Sequence, residues 1–290
     1  MHENAIEIRG LEKSFPRFKL GPIDLTVPRG SIYGFVGPNG AGKTTTIDLI
    51  FGIGAKDSGS VKVLGLDHIT DEVELKRQVG YVSPELNYLT WGRVDRAIQF
   101  VRGFYPSWDE AYCQQLLEAF HLRWDEKIAA LSFGARIKLA LVLALSWKPR
   151  LLILDEPTVG LDAISKQQVF SELLSAVAAE QRTVFISSHS LTDLERFADY
   201  VGMIKSGQMM FEGSMSGVID RYRMVDLIAK GPADFAAQPG LVVQTHQDDR
   251  WRVLVDLDRT PLERLQSRGA TPVSESPVTL EELFVALGKD

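Results

Sequence analysis

Residues 37–44 read Gly37-Pro38-Asn39-Gly40-Ala41-Gly42-Lys43-Thr44, with Thr45 next, a complete match to the phosphate-cradling pattern G-x-x-x-x-G-K-[ST]. The segment before it, Gly30-Ser31-Ile32-Tyr33-Gly34-Phe35-Val36, reads as a turn feeding a short apolar strand, and Thr44 to Phe51 reads as the opening of a helix. A glycine-rich loop between strand and helix aims backbone N–H groups and the positive helix end at an anion. Lys43 adds a mobile charge for the outer phosphates, and Thr44 a hydroxyl ligand for Mg2+. In that context the chain is expected to bind a nucleoside triphosphate.

Working outward, Ile6-Glu7-Ile8 and Ile23-Asp24-Leu25-Thr26-Val27 alternate apolar and polar, the period of half-buried strands. Further short strands are expected at 60–65 and 79–82, and a helical region over about 85–148. Leu151-Leu152-Ile153-Leu154 is an apolar run suited to a strand buried on both faces, followed by Asp155-Glu156. A helix is expected over 163–180, a central strand over 183–188 and a helix from Leu191 to Tyr200. This alternation predicts an α/β domain with a mostly parallel sheet and antiparallel N-terminal strands. Near residue 220 the pattern changes. Residues 241–245 and 251–257 alternate like antiparallel strands, 261–268 reads as a helix, and 279–284 as a capped terminal helix, together a small α+β domain. The boundaries expected are therefore 1–218 for the first domain and 219–290 for the second.

The 290 residues are enough for one large domain and a smaller one. A net charge of −6 gives no reason to expect nucleic acid as the main partner. Cys113 is the only cysteine, so no internal disulfide can form, and the cytosol is the natural compartment. Met1-His2-Glu3-Asn4-Ala5 lacks the basic start and apolar run of a signal peptide. The most apolar stretch, residues 139–145, falls far short of the roughly 18–20 residues that span a bilayer. Work at a membrane then requires another chain to supply the membrane part.

A buried strand ending in Asp155 presents a carboxylate beside the phosphate loop, where it can hold the magnesium shell. Glu156, one residue on, is placed to take a proton from attacking water. His189 follows the strand ending Ser187-Ser188. A lone histidine at a strand end is more often structural. At the same sheet edge as the two acids, it can instead reach the γ-phosphate and keep Glu156 and the water aligned.

With these residues in order, the chain resembles the ABC-type ATPases, the nucleotide-binding subunits of ABC transporters. The resemblance rests on the P-loop, on Leu131-Ser132-Phe133-Gly134-Ala135 as the signature segment and on Asp155-Glu156-Pro157-Thr158. It also rests on Val159-Gly160-Leu161-Asp162 as the D-loop and on Ser187-Ser188-His189 as the switch histidine, and it covers about residues 4–215. It implies a head-to-tail dimer with two ATP molecules between subunits, each on the P-loop of one and under Ser132 and Gly134 of the other. It also implies that Phe15 stacks on adenine.

Two departures from the family pattern stand out. Phe133 and Ala135 replace a glycine and the glutamine of the usual Leu-Ser-Gly-Gly-Gln, while Ser132 and Gly134 are kept. After residues 79–82 the family places a glutamine that ligands magnesium, and this chain has Ser83-Pro84-Glu85. Pro84 offers neither a side-chain oxygen nor an N–H, which leaves Glu85 as the nearest substitute oxygen ligand.

The resemblance implies an ATP-hydrolysing subunit on the cytoplasmic side of the cell membrane. It would energise a separate transmembrane permease, with an exporter favoured by the ending Thr279-Leu280-Glu281-Glu282-Leu283-Phe284. The second ATPase subunit is a like copy or a different chain. The aromatics Trp91, Phe104, Tyr105 and Trp108 are the expected lining of a groove for the permease. The alternatives are a soluble ABC-type ATPase acting on ribosomes or DNA, and a regulatory subunit of low activity. One P-loop and no heptad tract weigh against the first, and intact Glu156 and His189 against the second.

Overall fold

The computed structural model describes residues 4–86, 88–180, 182–229, 238–266 and 269–287. Contacts divide the chain into two compact units, residues 1–189 with 197–211, and residues 190–196 with 212–290.

The first unit opens with two long strands, β1 (Asn4–Phe15) and β2 (Phe18–Pro28), paired antiparallel. The buried strand β3 (Ile32–Val36) leads into helix α1 (Lys43–Ile50). There follow β4 (Ser58–Val63), β5 (Leu66–Asp67), α2 (Glu72–Lys76) and β6 (Val79–Val82). The helices α3 (Val94–Arg102), α4 (Glu110–Ala119) and α5 (Phe133–Leu145) make up the helical region. Next come β7 (Leu151–Asp155), α6 (Ala163–Glu180) and β8 (Thr183–Ser188). A short helix α7 (Leu191–Glu195) belongs to the second unit, and β9 (Tyr200–Lys205) and β10 (Gln208–Ser214) follow it.

Among the described residues these strands form two sheets, of order β2-β1-β4-β5 and β10-β9-β3-β8-β7-β6. In the six-stranded sheet β9, β3, β8, β7 and β6 pair in parallel. Both faces of β3, β7 and β8 are covered, which explains why they are buried at every position and do not alternate apolar with polar residues. Helix α1 packs on β7 of one sheet and β4 of the other, and the core at Ile6, Ile8, Phe35, Ile47 and Phe185 joins them.

The helix expected from Leu191 to Tyr200 is cut short at Glu195, and Tyr200 opens a strand. Sheet pairing wins over local pattern here. Asp199 exchanges two bonds with Ile32, donating its N–H to the Ile32 carbonyl at 2.8 Å and accepting the Ile32 N–H on Oδ2 at 2.8 Å. That pair draws the chain into register with β3.

The second unit contains α8 (Met215–Arg221), β11 (Tyr222–Ala229), β12 (Leu241–Gln247), β13 (Arg250–Asp256), α9 (Leu262–Gln266), β14 (Ala270–Pro277) and α10 (Leu280–Leu287). Its antiparallel sheet has the order β12-β13-β11-β14 over a core that includes Val225, Leu227, Trp251, Val253 and Leu265. The helix expected over 261–268 runs from Leu262 to Gln266, and Arg268 lies outside the described residues. The terminal helix carries the capping box its sequence predicts: Glu282 N–H donates to Thr279 Oγ1 at 3.1 Å, and Thr279 N–H donates to Glu282 at 3.0 Å.

Candidate functional site

The strand order brings the C-terminal ends of β3, β8 and β7 side by side, the edge at which parallel α/β sheets bind ligands. β3 ends at Val36, beside Ser188 of β8, and Ser187 lies directly beside Asp155 of β7. The phosphate loop, the acid pair and His189 therefore leave the sheet at one edge.

The loop's shape depends on its glycines. A Cβ on Gly37 would lie 2.3 Å from the Ile204 carbonyl oxygen, and one on Gly42 2.7 Å from Leu20 Cδ1. Gly42 also caps α1 with φ 109°, a left-handed conformation that favours glycine. The helix thus starts at Lys43 with the N–H groups of its first turn directed into the loop.

Lys43 is buried. Its Nζ donates to the Gly37 and Pro38 carbonyls at 2.8 and 3.3 Å and sits 3.1 Å from Glu156 Oε1 as an ion pair. Thr44 Oγ1 donates to Asp155 Oδ2 at 2.8 Å, and Ser187 Oγ donates to Asp155 Oδ1 at 2.5 Å. The Asp155 carboxylate is 4% exposed, and among the described residues no cation pairs with it.

Glu156 has φ 47°, a left-handed backbone uncommon for a residue with a side chain and frequent where strain serves function. Its N–H donates to Ser187 Oγ at 2.9 Å, and its Oε2 accepts from His189 Nδ1 at 2.8 Å. That bond places the imidazole proton on Nδ1, and the ring is about half exposed. Lys43, Thr44, Asp155, Glu156 and His189 thus form one cluster.

Asp48, on the next turn of α1, was not anticipated from the sequence. Burial pushes its carboxyl up, with smaller contributions from Asp155 and Glu85. Glu85 itself is exposed on the turn after β6, where its N–H donates to Ser83 Oγ at 3.2 Å. Among the described residues its carboxylate contacts neither Thr44 nor Asp155.

Phe15 is 45% exposed at the end of β1. Its ring lies 6.2 Å from that of Phe18, which in turn abuts Gly42, and the Lys13 ammonium lies over it 5.9 Å from the centroid, so a half-exposed ring stands one side chain away from the loop.

Ser132 and Gly134 occupy a different cleft, lined also by Phe133, Gly160, Leu161 and Asp162. Ser132 caps α5 by accepting the Ala135 N–H at 3.1 Å, which leaves its hydroxyl proton available to a further acceptor. Phe133 lies over Gly160, and a Cβ on Gly134 would meet Leu161 Cδ2 at 2.7 Å, so the kept glycine lets the Leu161 side chain pack against α5.

Phe133 also reaches a second groove, of about 250 Å³, that includes Ser83, Glu85, Leu86, Arg136 and Ile137. The aromatics expected to line a groove do not line this one. Trp91 stacks on Phe100, which contacts Phe104, while Tyr105 stacks on Trp147. Trp108 donates its indole N–H to Glu110.

As to magnesium, the donor set fits it: a hydroxyl and a buried carboxylate with no cation of its own are hard oxygen ligands converging at 2.8 Å.

The family model described as ABC transporter matches residues 20–159. The Nod factor export ATP-binding protein I of Paraburkholderia xenovorans (strain LB400) is 30% identical over 299 residues, covering 99% of this chain and 98% of that protein. The ABC transporter ATP-binding protein YtrB of Bacillus subtilis (strain 168) is 28% identical and covers 97% of each chain. A solved ATP-binding subunit of an ABC transporter superimposes with a TM-score of 0.67 at 25% identity, over 74% of this chain and 92% of that one. No helix among the described residues is long and apolar enough to cross a membrane. Motif geometry, fold and relatives agree: the chain belongs to the ABC transporter family and carries its ATP-binding, ATP-hydrolysing domain.

Proposed function

We propose that this chain is the peripheral ATPase subunit of an exporter, seated on the cytoplasmic face of a membrane against a separate transmembrane permease. The observation that carries the ATPase half is the cluster in which Glu156 contacts both Lys43 and His189, beside the Thr44–Asp155 pair. The export half is supported by the Nod factor export protein, similar to this chain over nearly its whole length.

In this reading ATP lies on residues 37–45 with adenine against Phe15. Its phosphate oxygens compete with Glu156 for the Lys43 ammonium and so release Oε1. Glu156 then takes a proton from the attacking water as its oxygen bonds to the γ-phosphorus. The bond from that phosphorus to the β–γ bridging oxygen breaks, leaving ADP and phosphate. His189 keeps Glu156 oriented and donates toward the γ-phosphate. Thr44 and Asp155, with Glu85 as a candidate third ligand, would hold Mg2+, which when bound neutralises charge on the phosphates.

The Ser132–Gly134 cleft closes the site of a second ATPase subunit, with the hydroxyl proton and the α5 dipole directed at its γ-phosphate. The groove lined by Leu86, Phe133 and Ile137 together with the charged Glu85 and Arg136 would receive a helix of the permease. Residues 1–218 act as the ATPase domain and 219–290 as an accessory domain.

Glu156→Gln tests the chemistry. ATP binding is expected to persist, turnover to fall about 10²–10⁴-fold, and a nucleotide-bound dimer to accumulate on size exclusion. Normal turnover removes Glu156 as the base. Purification from detergent-solubilised membranes is expected to bring a permease with the chain; recovery with ribosomes or DNA alone overturns the transporter reading.

A further inference from the structure

One hydroxyl joins the two acids of the site through different atoms. Ser187 is fully buried in β8, a strand otherwise built from apolar and small residues. A buried hydroxyl must find partners, and a nearby backbone carbonyl would satisfy it at no cost to the site. Ser187 instead uses its proton on Asp155 Oδ1, at 2.5 Å, and its lone pair on the Glu156 N–H, at 2.9 Å.

Both bonds follow from the sheet. Parallel register sets Ser187 directly beside Asp155, so the two side chains leave the same face at the point where β7 ends. Holding Oδ1 leaves Oδ2 to face Thr44. Holding the Glu156 N–H pins a residue whose φ of 47° a side chain adopts only when its surroundings enforce it. From that backbone the Glu156 carboxylate reaches Lys43 and His189 together.

We propose that Ser187 is a positioning residue for ATP hydrolysis, setting the Asp155 carboxylate and the Glu156 backbone with a single hydroxyl. The proposal rests on the roles of Asp155 and Glu156 given above. It differs from a packing role in a specific way: removing the hydroxyl should slow the chemistry in a chain that still folds and still binds ATP on the P-loop.

Threonine and valine share size and shape, both suit a strand, and they differ in the hydroxyl. With the full chain, Ser187→Thr is expected to keep kcat within about threefold of wild type, and Ser187→Val to lose about 10–100-fold in kcat, with KM for ATP and ATP affinity in magnesium-free buffer changed less than about twofold. Both variants should remain folded, the valine variant melting lower because the Glu156 N–H and Asp155 Oδ1 lose a partner. Ser187→Ala, which adds no bulk, gives the same comparison against wild type if the branched side chains do not fit.

Equal kcat for the valine and threonine variants overturns the proposal. So does a folded valine variant that loses magnesium-free ATP affinity along with rate, since the hydroxyl would then serve the P-loop. Glu156→Gln assayed alongside separates the two readings. If it turns over normally, the assignment of the base fails; if it is inactive while the valine and threonine variants match, the inference about Ser187 alone fails.

Discussion

Asp155 and Asp256 are buried alike, each 4% exposed, yet they are held in opposite ways. In the second unit Asp256 is closed off by cations. Arg221 donates to it through Nε at 2.8 Å and Nη2 at 2.6 Å, and Arg259 approaches within 3.6 Å. In the first unit Asp155 meets two hydroxyls and, among the described residues, no cation. A buried carboxylate with no positive partner is expensive. Its persistence at a sheet edge beside a phosphate loop marks a place prepared for a charge that arrives from outside. The difference teaches which buried acid serves chemistry and which serves the fold.

The comparison breaks most sharply on Asp155→Asn and Asp256→Asn. The first should cut ATP turnover by about 10²–10³-fold or more, because a group aimed at developing charge is lost. Its melting temperature should hold or rise, since an unpaired buried charge is removed. The second should leave the ATPase site untouched and destabilise the second unit by about 1–2 kcal/mol, since Arg221 loses charged hydrogen bonds but is 35% exposed and keeps Asp258 at 3.3 Å. Turnover assays and urea unfolding of the full chain measure both. If Asp155→Asn proves the less stable protein and Asp256→Asn the less active one, the contrast is wrong.

The same contrast shows what was legible in the sequence. Residues 37–45, 151–156 and 163–180 declared themselves because glycine spacing, an apolar run ending in acids, and helical periodicity are local signals. β14 did not, because it is an edge strand, mostly exposed and with proline at both 272 and 277, so no alternation survives. The expected helix over 191–200 runs into Tyr200, the first residue of β9, because the strand's character comes from pairing with β3, a long-range fact. Ser187 stood in plain view within Ser187-Ser188-His189, but only strand register shows that it, and not Ser188, lies beside Asp155.

Aromatic rings repeat the contrast at smaller scale. In the second unit Trp251 is covered by His246, their ring centroids 3.5 Å apart. Phe15 is 45% exposed, with only the Lys13 ammonium 5.9 Å over its ring and Phe18 tilted beside it among the described residues. Phe15→Ala should therefore weaken ATP binding by about 1–3 kcal/mol, the range of base–aromatic stacking, with kcat at saturation nearly unchanged. Equilibrium binding of ATP against a triphosphate lacking a base separates stacking from phosphate contacts. An equal loss for both ligands would show that Phe15 merely supports the loop.

The smallest effect is the acid limb of stability. Burial pushes the Asp256 carboxyl up, but the two hydrogen bonds and the charge of Arg221, with Arg259, outweigh it, and the group ends below its ordinary value. A carboxyl held lower in the folded state than in the unfolded chain stabilises the fold wherever the unfolded carboxyl is ionised. That contribution is lost as pH falls through the folded value. The loss should thus begin below about pH 4, where an unfolded aspartate takes up its proton. Unfolding midpoints of wild type and Asp256→Asn should differ at neutral pH and converge on acidification through that window. The Asp155→Asn variant, which keeps the Arg221–Asp256 pair, should retain the wild-type acid loss. A gap between wild type and Asp256→Asn that stays constant across the window would mean that neutral shape, and not charge, is what Arg221 requires of its partner.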